Sequence, residues 1–395
     1  MVVLKAQLMT SAHCHGALDH LSSSQLSALI QRYYAGEPID ALLAAFEISC
    51  GPGSLWRHFP SVPTGDACPA CGSPLVERFR GRTSGARHVP ISRCSSCNHR
   101  ESPECSCSYC CLRRDEAQRT TARVRRTAIA CFCQERWIYN IHAVAPTQLS
   151  ARAAFSLLCI ARTGGWIAPN TLGALGNAQP RFAPFEIDFC SMIPATVIAN
   201  QLAAPDPESP FKAFPDDTGC NLSWSEEQVQ WRLLMKDPTN FMYELESLVS
   251  EQRWPKGWIE EVRSLWVELA VAECVEFCVL RALQQDLPTP CHTALSSLLK
   301  NLLIDYSASQ TFELLATAIS DTTEFVERTY IASPQAARFM IDACQRLADR
   351  ARLEKIEVKG LSRDPMLGRT QASYVLHDLF LGLGEAGFSQ VIPRS

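Results

Sequence analysis

Apolar residues recur at helical spacing near the N-terminus, where they predict three short helices. Apolar positions follow the capping-box match Ser22-x-x-Gln25, and Gly36 ends the first helix. A second helix is predicted from Pro38 to Phe46 and a third from Pro52 to Phe59. Three short helices joined by tight turns are typical of a helix-turn-helix, whose last helix enters the major groove of DNA. A small helical subdomain without DNA contact is the alternative.

Longer helical patterns fill the C-terminal part of the chain. Leu149–Ala161 is predicted as an apolar helix, and residues 166–222 as irregular structure with short helices. Further helices are predicted for Ser225–Lys236, Phe241–Gln252, Gly257–Gln285, Thr293–Asp305, Ser309–Tyr330, Pro334–Glu354 and Thr370–Glu385. Aromatic residues suit core positions of a multi-helix bundle at Trp254, Trp258, Trp266, Phe277, Phe312, Phe325 and Phe339.

A cysteine-rich stretch separates these two helical parts. Two C-x2-C pairs, Cys68/Cys71 and Cys94/Cys97, bracket a 22-residue insert that is rich in arginine and turn residues. Each C-x2-C turn can present two sulfurs to one ion, so four such thiolates match a tetrahedral structural zinc site. The insert is predicted to form the short β hairpins of a zinc ribbon.

A second cysteine cluster follows directly. Cys105, Cys107, Cys110 and Cys111 lie within seven residues, shortly after His99. A second zinc ion could use Cys105, Cys107 and Cys110 together with a fourth ligand. That ligand could be His99, Cys111 or a sulfur of the Cys131/Cys133 pair. Alternatively, some of these cysteines are spare thiols in an irregular tail of the first site.

Composition narrows the class of protein. The chain has 395 residues, enough for two or three domains, and its 47% hydrophobic and 20% charged content is that of a soluble globular protein. No apolar run approaches the ~20 residues that span a bilayer, so no membrane association is expected. The N-terminus lacks the pattern of a secretory signal. Nineteen cysteines without such a signal favour metal ligands and buried thiols in the cytoplasm.

Charge is distributed unevenly along the chain. Residues 57–136 contain fourteen arginines and seven acidic residues, while the net charge of the whole chain is −4. The basic segment coincides with the cysteine-rich one, which favours a polyanionic partner for the N-terminal part alone. Within it, Arg113–Arg126 is predicted as an exposed helix on which Arg119, Arg123 and Arg126 share one face. These side chains would contact phosphates, whereas the alternative is a solvated linker helix.

The candidate nucleic-acid contacts come from the predicted third helix, the ribbon and the arginine-rich helix. They are Ser54, Trp56, Arg57, His58, Arg80, Arg82, Arg87, Arg119, Arg123 and Arg126. The first four would contact bases or a groove, and the arginines would neutralise phosphates.

The run ALLAAFEISCGPGSLWRHF resembles the helix-turn-helix of insertion-element transposases and of the small DNA-binding proteins that such elements encode. Their closing phrase, G-x-x-[ST]-[ILV]-[FYW]-R-H/Y-[LF], is matched from Gly51 to Phe59. Those proteins also carry a CPxC…CxxC zinc ribbon close to the helix-turn-helix. The resemblance covers about residues 21–100 and implies DNA binding in mobile-element or phage-related biology.

Motifs of the common enzyme classes are absent from the sequence. There is no G-x-x-x-x-G-K-[ST], H-E-x-x-H or G-x-S-x-G, and no G-x-G-x-x-G that opens a helix after a strand. His292 and His377 are isolated histidines of the kind that usually serve structural roles. No catalytic residue is therefore predicted, although a nuclease site assembled from distant helices stays open.

Four segments are expected: a helix-turn-helix over 1–62, a zinc ribbon with its second cysteine cluster over 63–112, a basic linker helix over 113–142 and an α-helical domain over 143–395. The predicted function is that of a zinc-dependent, non-enzymatic DNA-binding protein, such as a regulator, a transposition accessory or a phage-defence component. RNA binding and a zinc-stapled protein-interaction scaffold are the alternatives. The C-terminal helices would bind a protein partner or form a homodimer.

Overall fold

The computed structural model of the protein describes residues 16–82, 92–176, 178–217, 221–329 and 333–393. These residues are mainly α-helical and contain three small antiparallel sheets, which confirms the predicted fold class. The chain divides into two compact units, Met1–Val124 and Arg125–Ser395. None of the described helices combines the length and the apolar character that crossing a membrane requires.

The first helix in the described part of the N-terminal unit is α1 (Ser23–Tyr34), and its predicted capping box is confirmed. The Gln25 backbone N–H donates to Ser22 Oγ at 3.3 Å, and the Ser22 backbone N–H donates to Gln25 Oε1 at 2.9 Å. The second predicted helix is confirmed as α2 (Ile39–Ala45). One face of each helix contributes to a small apolar core, whose buried members in these helices are Leu26, Leu29, Ile30, Tyr33 and Leu42.

The third predicted helix is a 3₁₀ helix, Pro52–His58, and not an α-helix. Two glycines, Gly51 and Gly53, lie at its start, and glycine disfavours a regular α-helix because it loses much backbone entropy there. Ser54 Oγ donates to the Gly51 carbonyl at 2.8 Å, a local bond that competes with helical pairing. Leu55 is nevertheless buried in the core shared with α1 and α2.

A three-stranded antiparallel sheet follows, with the order β1–β2–β3. Its strands are β1 (Val62–Ala67), β2 (Pro74–Glu77) and β3 (Arg93–Cys94). Ala67 pairs with Pro74, so the β1–β2 hairpin presents its connecting turn, residues 68–73, at one end of the sheet. The predicted short hairpins of the ribbon are thus confirmed in the described residues.

Helix α3 (Ser108–Arg136) is 29 residues long and extends beyond the predicted Arg113–Arg126 segment at both ends. The boundary between the two units falls within it. From Leu112 to Arg123 the helix presents mostly exposed side chains, whereas near its end Ile129, Phe132 and Cys133 are buried in the core of the C-terminal unit. The sequence underestimated its length because these apolar residues are too few to show a clear period of their own.

The C-terminal unit surrounds one large apolar core. Its helices are α4 (Ala151–Gly164), α5 (Ile187–Ala199), α6 (Pro238–Ser250), α7 (Trp258–Gln284), α8 (His292–Leu302), α9 (Ala308–Thr329), α10 (Ser333–Glu354), α11 (Gln371–Tyr374) and α12 (Ala386–Ser389). Its strands are β4 (Trp166–Ala168), β5 (Thr171–Leu172), β6 (Ala203–Pro205), β7 (Asp216–Asp217), β8 (Asn221–Leu222) and β9 (Trp231–Leu233). The helices α6 to α10 match the predicted segments to within a few residues.

The predicted helix Ser225–Lys236 is wrong, because this segment contains strand β9. In the four-stranded sheet of order β4–β5–β9–β6, β9 pairs with β5 and β6. Trp231 and Leu233 are buried while Arg232 between them is partly exposed, which is the period-two pattern of a strand. Three residues are too few for this alternation to outweigh the helical spacing of the flanking positions.

Two further segments differ from the sequence prediction. Residues 166–222 contain the 13-residue helix α5, although Pro194 lies inside it. The predicted helix Thr370–Glu385 is divided into α11 and a π-helical turn, Val375–Phe380. It ends there because Gly382 and Gly384 adopt positive φ angles of 65° and 56°, which a helix cannot contain.

The aromatic positions predicted for the core mostly fulfil that role. Trp258, Trp266, Phe277 and Phe312 are buried in the C-terminal core. Phe277 and Phe312 stack with ring centroids 4.0 Å apart, and Phe325 stacks on Phe339 at 4.2 Å. These contacts hold α7, α9 and α10 together as a helical bundle.

Candidate metal centres

The first candidate metal centre lies at the end of the three-stranded sheet. Cys68 follows β1, Cys94 ends β3, and the two C-x2-C turns bring Cys71 and Cys97 to the same point. The Cys68 and Cys97 Sγ atoms are 3.6 Å apart, and those of Cys71 and Cys94 are 3.4 Å apart. A metal–sulfur bond of about 2.3 Å places the sulfurs of a tetrahedral site about 3.8 Å apart. The four thiols are therefore spaced to bind one metal ion.

Backbone amides hold these sulfurs in place. The Ala70 N–H donates to Cys68 Sγ at 3.4 Å, and the N–H groups of Ser96 and Cys97 donate to Cys94 Sγ at 3.3 and 3.4 Å. The first knuckle closes at Gly72, whose φ of 74° lets its N–H reach the Cys68 carbonyl at 2.8 Å. Such N–H···S bonds favour the thiolate, which is the form that binds a metal.

The thiols of the first centre influence one another's ionisation. Hydrogen bonds from the Ser73 side chain and backbone, and then from Cys94, lower the pKa of Cys71 to about 6. At Cys97 the backbone N–H of His99 favours the thiolate, but burial and the neighbouring thiols outweigh it and raise the pKa to about 12. The charge of one thiolate thus disfavours ionisation of the next thiol, and a bound cation would offset this repulsion.

The second candidate centre is formed by His99, Cys105, Cys107 and Cys110. The distances from His99 Nδ1 to the Sγ atoms of Cys107, Cys105 and Cys110 are 3.4, 3.8 and 3.3 Å. All four ligand atoms lie within 4.8 Å of one another. Of the fourth ligands considered from the sequence, His99 is the one that the fold places here. Cys111 and the Cys131/Cys133 pair belong to neither group among the described residues.

Burial and local amides also shift the pKa values of thiols in the second centre. Backbone N–H groups of Cys107 and Arg100 lower the pKa of Cys105 to about 6. Burial, followed by the neighbouring thiols, raises the pKa of Cys110 to about 11. The two centres are also linked through the backbone, because the N–H of Cys94 in the first donates to the carbonyl of His99 in the second at 2.7 Å.

Arg114 supports the second centre, a role that the sequence analysis missed. Its guanidinium donates to the carbonyls of Cys105 at 2.5 Å, Cys110 at 3.3 Å and Pro103 at 3.5 Å. It therefore ties the loop that carries Cys105 to the start of α3. Its position four residues after Cys110 on the same helix was the available signal, because such residues are neighbours on a helix face.

We expect the substitution Arg114→Ala to weaken metal binding at the second centre by about 10- to 100-fold, the usual effect of losing an outer-shell partner. Metal release to a chromophoric chelator, followed over time, would measure this. Arg113→Ala is the matched control, because Arg113 is exposed and its guanidinium lies over the Tyr109 ring at 5.9 Å instead. Equal release from the two variants would contradict the role of Arg114.

No protein-family model, no curated protein and no solved structure matches this chain. Function is therefore inferred from the geometry of the described residues.

The candidate groove contacts Ser54, Trp56, Arg57 and His58 all lie on the 3₁₀ helix. Arg57 is exposed, with its guanidinium 5.5 Å from the Trp56 ring centroid. Trp56 is half-buried, and a Cβ at Gly81 would lie 3.1 Å from its Nε1. Arg57 is thus the most available of the four side chains.

The ribbon arginines make contacts within the N-terminal unit. The Tyr34 hydroxyl donates to the Arg80 carbonyl at 2.6 Å and accepts from its N–H at 3.0 Å. Arg82 Nη1 donates to the Glu37 carbonyl at 2.7 Å, and its guanidinium lies 4.5 Å from the Tyr33 ring centroid. The Arg82 side chain is therefore used in packing. Arg87 lies outside the described residues.

The three arginines predicted to share a face of α3 differ in their surroundings. Arg119 and Arg123 are exposed. Arg126 is half-buried within the C-terminal unit, where its guanidinium donates to the Pro207 carbonyl and, at 2.8 Å, to the Ser209 carbonyl. The same group lies 4.6 Å from the Phe211 ring centroid. Arg126 is thus engaged inside the protein.

A third group of possible metal ligands, Glu186, Asp188 and His292, has a simpler explanation. The Glu186 carboxylate caps α5, accepting the N–H groups of Asp188 at 3.3 Å and Phe189 at 2.7 Å. His292 Nε2 lies 2.7 Å from the same carboxylate. Capping and this one hydrogen bond account for the arrangement, and His292 has a structural partner as the sequence predicted.

His377 is also embedded in structure. Its Nδ1 lies 3.2 Å from Ser373 Oγ, and burial, followed by the charges of Arg363 and Arg369, lowers its pKa to about 3. The imidazole is therefore neutral at physiological pH. It packs against Trp266, with ring centroids 6.1 Å apart, inside the C-terminal core.

Proposed function

We propose that the N-terminal unit is a zinc-dependent DNA-binding module. The observation that carries this proposal is the pair of four-ligand groups, one of four cysteines and one of three cysteines and a histidine, at tetrahedral spacing. Thiolate and imidazole ligands in closed sets of four are typical of structural zinc sites. The described cysteines are free thiols, which supports a reducing compartment such as the cytoplasm.

Exposed arginines near these centres support a nucleic-acid partner. Arg57, Arg78, Arg113, Arg119 and Arg123 are exposed side chains of the N-terminal unit. Arginines neutralise phosphates without reading sequence, and a DNA duplex offers phosphates at regular spacing.

In this fold the helix-turn-helix hypothesis has to account for a short third element. The third element is a seven-residue 3₁₀ helix, shorter than the recognition helix of a typical motif. Base contacts in this region would therefore come from the exposed Arg57, while Ser54, Trp56 and His58 shape its surroundings. The arginines of α3 would then provide most of the affinity through phosphates.

The resemblance of residues 21–100 to insertion-element proteins favours mobile-element or phage-related biology. Within it, we propose a regulator, a transposition accessory or a phage-defence component. The C-terminal helices would serve a protein partner or a second copy of the chain.

A zinc-stapled protein-interaction scaffold is the second candidate function. Arg82 and Arg126, two of the predicted phosphate contacts, are engaged by backbone carbonyls of the protein itself. This leaves a smaller set of available arginines than the sequence indicated, which favours the scaffold. The two candidates differ in whether purified protein binds nucleic acid at all.

Metal analysis combined with a binding panel tests the proposal. We expect two zinc ions per chain, and tighter binding to duplex DNA than to single strands or RNA, with an affinity that falls steeply between 50 and 200 mM salt, as phosphate contacts require. Tighter binding to RNA than to duplex DNA would identify RNA as the partner instead. Absence of salt-dependent binding to every nucleic acid in the panel would reject the proposal in favour of the scaffold.

A further inference from the structure

A cavity of about 370 Å³ opens in the C-terminal unit, remote in sequence from both metal centres. Its walls are loop residues within 175–176 and 178–185, helix α5 and the turn at Glu226-Glu227. Its volume lies within the range of about 300–1,000 Å³ that is usual for small-molecule sites. Apolar and aromatic side chains dominate its lining, among them Leu175, Phe182, Ala183 and Pro194.

The loop wall is held in position before any ligand arrives. The N–H groups of Gln371 and Ala372 donate to the carbonyls of Arg181 at 2.7 Å and Phe182 at 3.0 Å. The Arg181 guanidinium donates to both carboxylate oxygens of Glu276, at 2.6 and 3.2 Å. A wall fixed in this way loses little conformational entropy when a ligand binds.

Two adjacent acidic residues, Glu226 and Glu227, line the cavity beside the start of this loop. The N–H groups of Leu175 and Gly176 both donate to the Glu227 carbonyl, at 3.0 and 2.8 Å. Gly176 is needed for this approach, because a Cβ there would lie 2.9 Å from the Glu227 Cβ. Burial and the Glu227 charge raise the pKa of Glu226. Within the described part of the chain no ion pair involves either carboxylate, and Glu226 is partly buried whereas Glu227 is exposed.

Helix α5 adds further acceptor character to the cavity. Pro194 has no backbone N–H, so it cannot donate to the Cys190 carbonyl four residues earlier, and both residues line the cavity. Burial, followed by the charges of Glu226 and Glu227, raises the pKa of Cys190 to about 11, which keeps this thiol neutral. The positive charge of Arg181 is offset by Glu276. The cavity therefore combines an apolar body with a net negative, acceptor-rich wall.

We infer that this cavity binds a small organic cation, an amine or amidine carried on an apolar or aromatic body. The cationic group would donate hydrogen bonds to Glu226 and Glu227 and relieve their repulsion. The apolar body would pack on Phe182, Leu175 and Pro194. This binding activity is separate from the metal centres and from the proposed DNA contacts.

Benzamidine and benzamide provide a matched pair of probes, because they have nearly the same shape but differ in charge. With the full-length, zinc-loaded protein, we expect benzamidine to bind at least about tenfold more tightly than benzamide, since a charge-assisted hydrogen bond exceeds a neutral one by about that factor. Titration calorimetry or ligand-observed NMR would measure both affinities. Equal affinities for the two compounds would overturn the inference.

The double substitution Glu226→Gln with Glu227→Gln should abolish the preference for benzamidine. Its matched control is Glu260→Gln with Glu261→Gln, which removes the same two charges from the first turn of α7, away from the cavity lining. If the double variant does not fold by circular dichroism, the single Glu226→Gln substitution should still reduce the preference. An equal change in the cavity variant and the control would overturn the assignment of the site.

Discussion

Removal of metal should unfold the zinc ribbon while the C-terminal helical unit stays folded. Among the described residues the core of the ribbon consists mainly of its own ligands, since Cys68, Leu75 and Cys94 are buried, with Ala70 and Cys97 packed against them. So small an apolar cluster cannot offset the entropy of ordering the chain without a metal. Structural zinc supplies about 10–16 kcal/mol at neutral pH in comparable small domains. The C-terminal unit, in contrast, has an extensive apolar core of its own.

Chelation and single substitutions would test this expectation separately. After chelator treatment, limited proteolysis should cleave within residues 62–110 and leave a resistant C-terminal fragment. Cys94→Ser and Cys107→Ser should each reduce the zinc content from two ions to about one, because each removes a ligand from a different centre. Cys111→Ser is the control, since Cys111 lies beside the second centre but outside its ligand group. A metal-free protein with an unchanged proteolysis pattern would contradict the structural role of the metal.

Arg119→Ala and Arg123→Ala should each flatten the salt dependence of duplex binding. Each phosphate contact that is lost lowers the slope of log affinity against log salt by about 0.9, so the double variant should lose about 1.8. Both side chains are exposed on α3. The affinity should fall by a similar factor for any duplex sequence, because phosphate contacts carry no sequence information. Fluorescence anisotropy at four or more salt concentrations would give the slopes.

Arg126→Ala is the matched control on the same helix. Its guanidinium is held by the Pro207 and Ser209 carbonyls and by the Phe211 ring, so its loss should leave the slope unchanged. The free energy of unfolding should instead fall by about 1–3 kcal/mol, as expected for lost hydrogen bonds to a charged group. An equal change of slope in all three single variants would contradict this division of roles.

The first metal centre could be predicted from the sequence because each knuckle is a local structure. Two cysteines separated by two residues already point to a common ion, and the amides of the turn then hold their sulfurs. The second centre could be predicted in part. Its three cysteines are local, but the choice of fourth ligand depended on where the ribbon returns to them. His99 takes that position because its backbone carbonyl is bonded to Cys94 in the sheet.

The helices and strands likewise divide into those that sequence periodicity predicts and those that depend on tertiary contacts. The long helices α7, α9 and α10 were predictable because the period of their apolar residues extends over many turns. Strand β9 was not, because what stabilises its three residues is pairing with β5 and β6, which lie about 60 and 30 positions earlier in the chain. The resemblance to insertion-element proteins concerned short motifs, and within one of them the 3₁₀ helix at Pro52–His58 replaced the expected α-helix.

The contacts of the arginine and acidic side chains depended most on tertiary structure. By itself the sequence determined the cysteine pairs, the basic segment around them and the periodic helices, since each is a property of neighbouring residues. Tertiary structure alone decided that Arg82 and Arg126 bond to backbone carbonyls, that Arg114 supports a metal centre and that Glu226 and Glu227 face an apolar cavity. The physical reason is that a long charged side chain can reach many partners, and its choice depends on which distant carbonyl, ring or cavity the fold brings near.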